Sequence, residues 1–405
     1  MNLAVITSGF LPLPASKGGA VENLIENLLN ENEKENEIYF SIFSIYDEKA
    51  VQLSKGYKNS KFIFIKLNIF VKMLDKITFW IANSILKKEN SQSYRFIFQR
   101  LYYLRKVSKY LKVNNYDKVL LENHPTQYLV LKWQKNYEKY KNRYYYHCHN
   151  EFKGTYGCKD MIRNTNKIIC VSDFIAKQVR DYLNISEERC IVLKNGIDTK
   201  KFSKIIDDEE KEKIKEQYNI KKEEKILLYT GRIVLEKGIK ELLQAVLKVK
   251  NKNFKLMIVG SALNDIELKT KFEKEIEDLT KELKDKVVFT GFIDYKEIYK
   301  FYSIADIAVL PSICDDAAPL TIIESMASGL PIITTNSGGI PEYAKNGCAI
   351  ILEKDKDLVI NLQLQMEKLL QDDEKRKDMS KISMQNAKNL TVENFYKNFI
   401  KQIEK

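Results

Sequence analysis

Histidine is scarce: the 405-residue chain has three, His124, His147 and His149, so few positions are open to imidazole chemistry. Its six cysteines, at 148, 158, 170, 190, 314 and 348, form no CxxC pair, which points to reduced thiols in a cytoplasm rather than a disulfide framework. No uncharged apolar run reaches the roughly 18 residues that crossing a bilayer requires. The first residues run into an apolar strand without the pattern of a secretory leader, so a cytoplasmic protein is expected. The GxGxxG fingerprint is missing, which weighs against a nicotinamide enzyme, and no repeat of roughly 20 to 50 residues is evident.

What is present is a globular composition, 44% hydrophobic and 30% charged, and a length that suits two domains of about 200 residues each. A net charge of +12 asks for an anionic partner: nucleic acid, a phosphorylated substrate or acidic lipid. Between Lys61 and Lys112 stand twelve Lys or Arg against two acids, Asp75 and Glu89. They interleave with Phe, Ile, Trp and Tyr at helical spacing. This stretch, within 61–113, suits an anionic membrane surface, the alternative being two ordinary helices packed on the first domain. It contains no nucleic-acid-binding module.

Short Val-, Ile-, Tyr- and Phe-rich runs alternate with helical patterns, the signature of βαβ units and a mostly parallel α/β sheet. Seven runs fall in the first half, from "LAVITS" at 3–8 to "CIVLKNG" at 190–196, and six in the second, from "KILLYTGR" at 225–232 to "AIILE" at 349–353. The expected plan is an N-terminal domain (1–200), a linker with a surface helix (201–224), a C-terminal domain (225–390) and a last helix (391–405) packing back on the first domain. Tandem open sheets bind ligands beyond the carboxyl ends of their strands, so two facing domains would share a cleft.

The informative residues follow strands. Gly18 and Gly19 precede a helix near Ala20, where bare amides at a positive helix end suit a phosphate, although a plain surface loop fits equally. Arg232 ends a strand and Lys237 lies just ahead of a helix, two cations suited to a diphosphate. Glu324 sits in the apolar run "LTIIESMA" and needs a partner, for which a ribose diol is suitable. Asp316, eight residues earlier, could meet a sugar hydroxyl; taken alone it reads better as a salt bridge. In "YYYHCHNEF", His147 and His149 share one strand face and Cys148 the other, so a zinc site from the three is disfavoured. His147 is expected to pack among tyrosines, while His149 and His124 end strands.

"GGAVENL", "VSDFI", "KNGIDTKKF", "GRIVLEKGI", "VGSA", "FTGF", "VLPS" and "TIIESMASGLPIITTNSGGIPE", in this order from 18 to 342, together resemble glycosyltransferase family 4. The resemblance implies the GT-B architecture, two Rossmann-like domains facing across a cleft, and a retaining transfer of sugar from a nucleotide-sugar donor. It implies a UDP-sugar such as UDP-GlcNAc or a UDP-hexose, with a GDP-sugar as the other option, and a glycan or lipid-linked acceptor in bacterial cell-surface polysaccharide synthesis. It places Arg232, Lys237, Glu324, Gly18, Gly19, Leu320, Thr321 and Ile293 with the donor, His149 and Asp316 at the catalytic centre, and His124 and Asn150 near the acceptor. No metal or other cofactor is implied. The sequence departs from the family in having Asp316 where a Glu is usual and "AAPL" in place of an aromatic-glycine sequence. The rival readings are an epimerase of the same architecture and a silent, membrane-associated partner of an active transferase.

Overall fold

The computed structural model describes residues 1–86, 94–260 and 271–404. Ser261 and Ala262 of "VGSA", and Lys87, Lys88 and Glu89 of the basic stretch, lie outside these. The chain forms two units, Met1–Lys194 with Phe395–Lys405, and Asn195–Asn394.

The first unit holds β1 (Asn2–Ile6), β2 (Tyr39–Ile45), β3 (Ser60–Ile65), β4 (Lys118–Glu122), β5 (Tyr144–Cys148), β6 (Lys167–Cys170) and β7 (Cys190–Val192), in the order β3-β2-β1-β4-β5-β6-β7. The second holds β8 (Lys225–Thr230), β9 (Phe254–Val259), β10 (Val287–Gly291), β11 (Ile307–Leu310), β12 (Ile332–Thr335) and β13 (Ala349–Leu352), in the order β10-β9-β8-β11-β12-β13. All thirteen expected runs are strands, and every pairing is parallel. Both faces of such a sheet are covered, which is why β1 reads as an unbroken apolar run and buries Leu3, Ala4, Val5 and Ile6 alike. Strand order reverses between β1 and β4 and again between β8 and β11, the kind of switch point beyond which open α/β sheets bind ligands.

Helix α1 (Ala20–Glu35) buries Leu24, Ile25, Leu28 and Leu29 on one face and ends at Asn36, whose positive φ of 55° closes it. Two helices follow β3: α2 (Ile69–Trp80) and α3 (Ile97–Val113). Helix α3 packs conventionally, with Tyr103, Leu104, Val107 and Leu111 fully buried. Helix α2 is inverted. Its buried residue is Asp75, at 1% exposure, while Ile69, Phe70, Met73, Leu74, Ile77 and Trp80 face outward, Phe70 at 66% and Trp80 at 59%. Asp75 accepts hydrogen bonds from the Phe98 and Gln99 amides at 2.8 and 2.9 Å, supplying the cap that the first turn of α3 lacks.

The domain plan needs two corrections. The first unit ends at Lys194, and residues 201–224 are not a linker without core. Helix α4 (Asp208–Gln217) lies in this segment, and Ile206, Ile214 and Ile220 are buried in the second unit's core. Three isoleucines six to eight positions apart are too sparse to register as a periodic face amid so much charge. After α5 (Leu320–Ala327), the last helix α6 (Val392–Glu404) places Phe395, Tyr396, Phe399, Ile400 and Ile403 in the first unit's core. Tyr396 Oη bonds the Asn32 side chain at 2.7 Å.

If Asp75 caps α3, Asp75→Ala will cost about 1 to 3 kcal/mol and speed hydrogen exchange at Phe98 and Gln99. Unchanged exchange at those two amides would remove the capping role.

Candidate functional site

The switch point of the first sheet gathers the groups that follow β1, β4 and β5. Strand β4 ends in a charged residue, Glu122, whose Cα partner across the parallel ladder is His147. Glu122 is fully buried, and its carboxylate receives both neighbouring imidazoles: His147 Nδ1 at 3.3 Å and His149 Nε2 at 2.9 Å. Burial alone drives this carboxyl upward, but the two rings together outweigh it and hold it at about 2. His149 is pushed down to about 4, first by burial and then by His147. At neutral pH the cluster is therefore one carboxylate with a neutral His149.

His147 is not packed among tyrosines, as the sequence suggested. Its ring lies 3.9 Å from that of His149 and 6.4 Å from that of Phe395, because alternation sends Tyr146 to the opposite face, against Tyr128. Cys148 donates to the Asn150 carbonyl and stays outside the cluster. Its third member is Glu122, and the three ligand atoms of Glu122, His147 and His149 lie within 4.8 Å of one another, a spacing that could hold a cation.

His124 is held in place by other groups. Arg100 meets its Nε2 at 3.1 Å and the Thr126 hydroxyl its Nδ1 at 2.8 Å; burial and then Arg100 hold its pKa at about 4. Asn150 is exposed and donates to the Asn123 side chain. Gly18 also differs from the expectation. The Gly18 amide donates to the Ala15 carbonyl at 3.1 Å, so it is not free for a phosphate. Gly19, with φ of 110°, lies so close to Glu22 that a Cβ there would sit 2.3 Å from Glu22 Oε2. Burial pushes Glu22, which accepts from Ser8 Oγ, up to about 7.

In the second unit glycines let backbone elements close on one another. A Cβ on Gly260 would meet the Gly231 carbonyl at 1.9 Å, and one on Gly238 the Pro311 carbonyl at 1.8 Å. The turn Leu235–Lys237 thus lies against the end of β11, and Lys237 ion-pairs with Asp316. The Asp316 backbone carbonyl accepts the Gly339 amide at 2.7 Å. Arg232 is exposed, without an ion pair among the described residues. The Tyr229 hydroxyl donates to the Arg232 carbonyl at 2.9 Å, and Arg232 and the Lys237–Asp316 pair follow β8 and β11, the two strands that flank the second switch point.

Glu324 is buried on α5, but the partner it needs is protein. Tyr302 donates to it at 2.7 Å and Tyr295 at 3.0 Å, and the Lys201 ammonium lies 4.3 Å from the centre of the Tyr295 ring. Burial still raises its pKa, against the pull of the two hydroxyls and Lys201. The need for a partner that the sequence implied is thus met by protein hydroxyls in this structure. The Leu320 side chain is in the core and Ile293 packs on it, so these two offer a ligand chiefly backbone. No side chain caps the start of α5, where Leu320 and Thr321 stand.

The chain matches the family model of glycosyl transferases group 1 over residues 210–386 and that of Glycosyltransferase Family 4 over residues 81–201. Together the two matches mark the chain as a glycosyltransferase of the family 4 type. It is 31% identical over 183 residues to an uncharacterized glycosyltransferase of Methanocaldococcus jannaschii, 44% of this chain and 45% of that one. It is 29% identical over 204 residues to the lipopolysaccharide 1,2-N-acetylglucosaminetransferase of Salmonella typhimurium, 50% of this chain and 51% of that one. The matches span about half the length of these two relatives. In fold the chain resembles Anabaena HepE in complex with UDP-glucose, with a TM-score of 0.75 at 14% identity, covering 100% of this chain and 99% of that one. This is the GT-B arrangement of two parallel α/β units.

In this chain, sequence reasoning missed Glu122, Glu22, Tyr295 and Tyr302. Glu122 had a signal, a carboxylate closing an apolar strand one residue before an Asn-His pair. Glu22 had one as well, in the first turn after two glycines. The tyrosines had none, since their convergence on Glu324 joins positions 22 and 29 residues apart.

Glu22 makes stability depend on pH. A carboxyl raised from 4.5 to about 7 favours the folded state when protonated, so stability falls as pH rises from about 4.5 to 7. Glu22→Gln should add up to about 3 kcal/mol at pH 8 and almost nothing at pH 4.5. Melting curves at the two pH values test this, and an equal gain at both would show that Glu22 does not titrate as described.

Proposed function

We propose that this chain transfers a sugar, with retention at the anomeric carbon, from a nucleotide sugar to a glycan or lipid-linked acceptor of a bacterial cell-surface polysaccharide. The observation carrying this reading is the gathering of Arg232, Lys237 and Asp316 at the second switch point. The exposed Arg232 guanidinium matches a phosphate with two parallel hydrogen bonds. Lys237 leaves Asp316 for the diphosphate, and Asp316, released, accepts from a hydroxyl of the donor sugar. Glu324 exchanges the Tyr295 hydroxyl for the ribose diol. The start of α5 adds amides and a positive helix end, so the diphosphate is neutralised by protein groups and no metal is assigned a step. A UDP-sugar is the favoured donor, supported by a relative named for transferring N-acetylglucosamine within lipopolysaccharide.

His149 hydrogen-bonds the transferring sugar, and the departing diphosphate takes the acceptor proton. Water must be kept from the activated sugar, since it competes with the acceptor hydroxyl. In a thermal-shift screen of UDP, GDP, ADP and their sugars, UDP compounds should stabilise the protein, and Arg232→Ala should abolish the shift. His149→Ala should keep the shift and lose transfer at least a hundredfold. If no nucleotide stabilises the protein, the donor assignment fails; donor converted without any acceptor would favour the epimerase.

The inverted helix α2 supports a lipid-linked acceptor. Six large apolar side chains face outward there, with Lys72 and Lys76 exposed on the same helix, and no helix of the described residues is long and apolar enough to cross a membrane. We place α2 in the interface of an anionic bilayer, apolar side down. Of the two tryptophans, Trp80 is the exposed one, so a Trp133→Phe protein reports on α2 alone. Its fluorescence should shift to the blue with phosphatidylglycerol vesicles and not with phosphatidylcholine, and Ile77→Asp should remove the shift. No response to either vesicle rules the surface out.

A further inference from the structure

Glu122 contacts both imidazoles of the strand-end pair, and the chemistry of these groups restricts where their protons can be. An ionised carboxylate only accepts hydrogen bonds. His149 Nε2 lies 2.9 Å from Glu122 Oε2, so a neutral His149 must carry its proton on Nε2. His147 donates from Nδ1 to the same carboxylate at 3.3 Å. Its other nitrogen, Nε2, is buried without a partner, so His147 is closed to any ligand and serves to hold the carboxylate. His149 retains 8% of its surface, and the nitrogen it has left is Nδ1, a bare lone pair.

We infer that Glu122 is a positioning residue: it locks His149 in the Nε2–H tautomer, so that the substrate meets Nδ1 as a hydrogen-bond acceptor and must bring a hydroxyl to it. This rests on the transferase reading for its substrate, but the lock itself does not. An acceptor nitrogen repels the oxygens of a phosphate and welcomes a sugar hydroxyl. His149 therefore does not clamp the diphosphate, and it discriminates against a sugar whose facing hydroxyl is replaced by hydrogen or fluorine. Glu122 acts through His149 alone, in the manner of the carboxylates that orient metal-bound or catalytic imidazoles.

With only three histidines, the full chain labelled with nitrogen-15 in histidine can be followed by long-range proton–nitrogen correlation. His124→Gln and His149→Gln variants assign the signals. At neutral pH His149 should show the pure Nε2–H pattern. In Glu122→Gln, whose amide donates as well as accepts, that pattern should give way to a mixture of tautomers, and kcat should fall roughly ten- to a hundredfold with the donor KM nearly unchanged. The inference is overturned if His149 in the native protein carries its proton on Nδ1, or if Glu122→Gln leaves both the pattern and kcat as they were. It is also overturned if the purified protein holds one equivalent of a transition metal whose removal changes the His149 signal, because Nε2 would then be a ligand rather than a donor. A native protein with the Nε2–H pattern but no turnover of any sugar nucleotide would sink the transferase reading and leave the lock standing. Turnover with the Nδ1–H pattern would do the reverse.

Discussion

Parallel pairing is the constraint on which the rest depends. A strand that pairs in parallel cannot turn straight back on its neighbour, so each connection crosses over the sheet and every strand runs the same way. All carboxyl ends then lie along one edge, and where the order reverses, between β1 and β4 and between β8 and β11, the connections diverge and leave room. Glu122, His147 and His149 stand at the first of these edges and Arg232, Lys237 and Asp316 at the second. Their gathering follows from topology, since a Glu and a His 25 residues apart become neighbours only because β4 and β5 pair in register.

Four carboxyl groups show how surroundings decide chemistry. Glu122 meets two imidazoles and stays ionised; Glu324 meets two tyrosine hydroxyls and is raised by burial. Asp316 meets an ammonium. Glu22 has the Ser8 hydroxyl and its own helix start, too little to offset desolvation, and is pushed up to about 7. The same functional group thus serves as a partner for two imidazoles, a buried acceptor, half of an ion pair and a group that titrates near neutrality.

Helix α2 shows the opposite economy of burial. A soluble helix ordinarily turns its apolar face to the core, and α3 does so. Helix α2 buries Asp75 and exposes Phe70, Ile77 and Trp80. The buried carboxylate is satisfied by two amides of α3, so the inversion is held in place by hydrogen bonds and leaves a continuous apolar surface beside basic side chains.

The thirteen strands, the two sheets and the resemblance to family 4 were legible in the amino-acid order, because runs of β-branched and aromatic residues and the glycine-bearing turns are local patterns. So were the positions of Arg232 and His149, each just beyond a strand, and of Lys237, just ahead of a helix. Partners were not. That Lys237 faces Asp316, that Tyr295 and Tyr302 satisfy Glu324, that Gly18 uses its amide on Ala15 and that three sparse isoleucines anchor residues 201–224 all depend on contacts between distant positions. The sequence by itself determined which residues carry charge, imidazole and glycine at the strand ends. Only the tertiary structure decided which of them are already satisfied by protein and which, like His149 Nδ1 and the Arg232 guanidinium, have no side-chain partner among the described residues, because hydrogen bonds and burial are properties of neighbours in space.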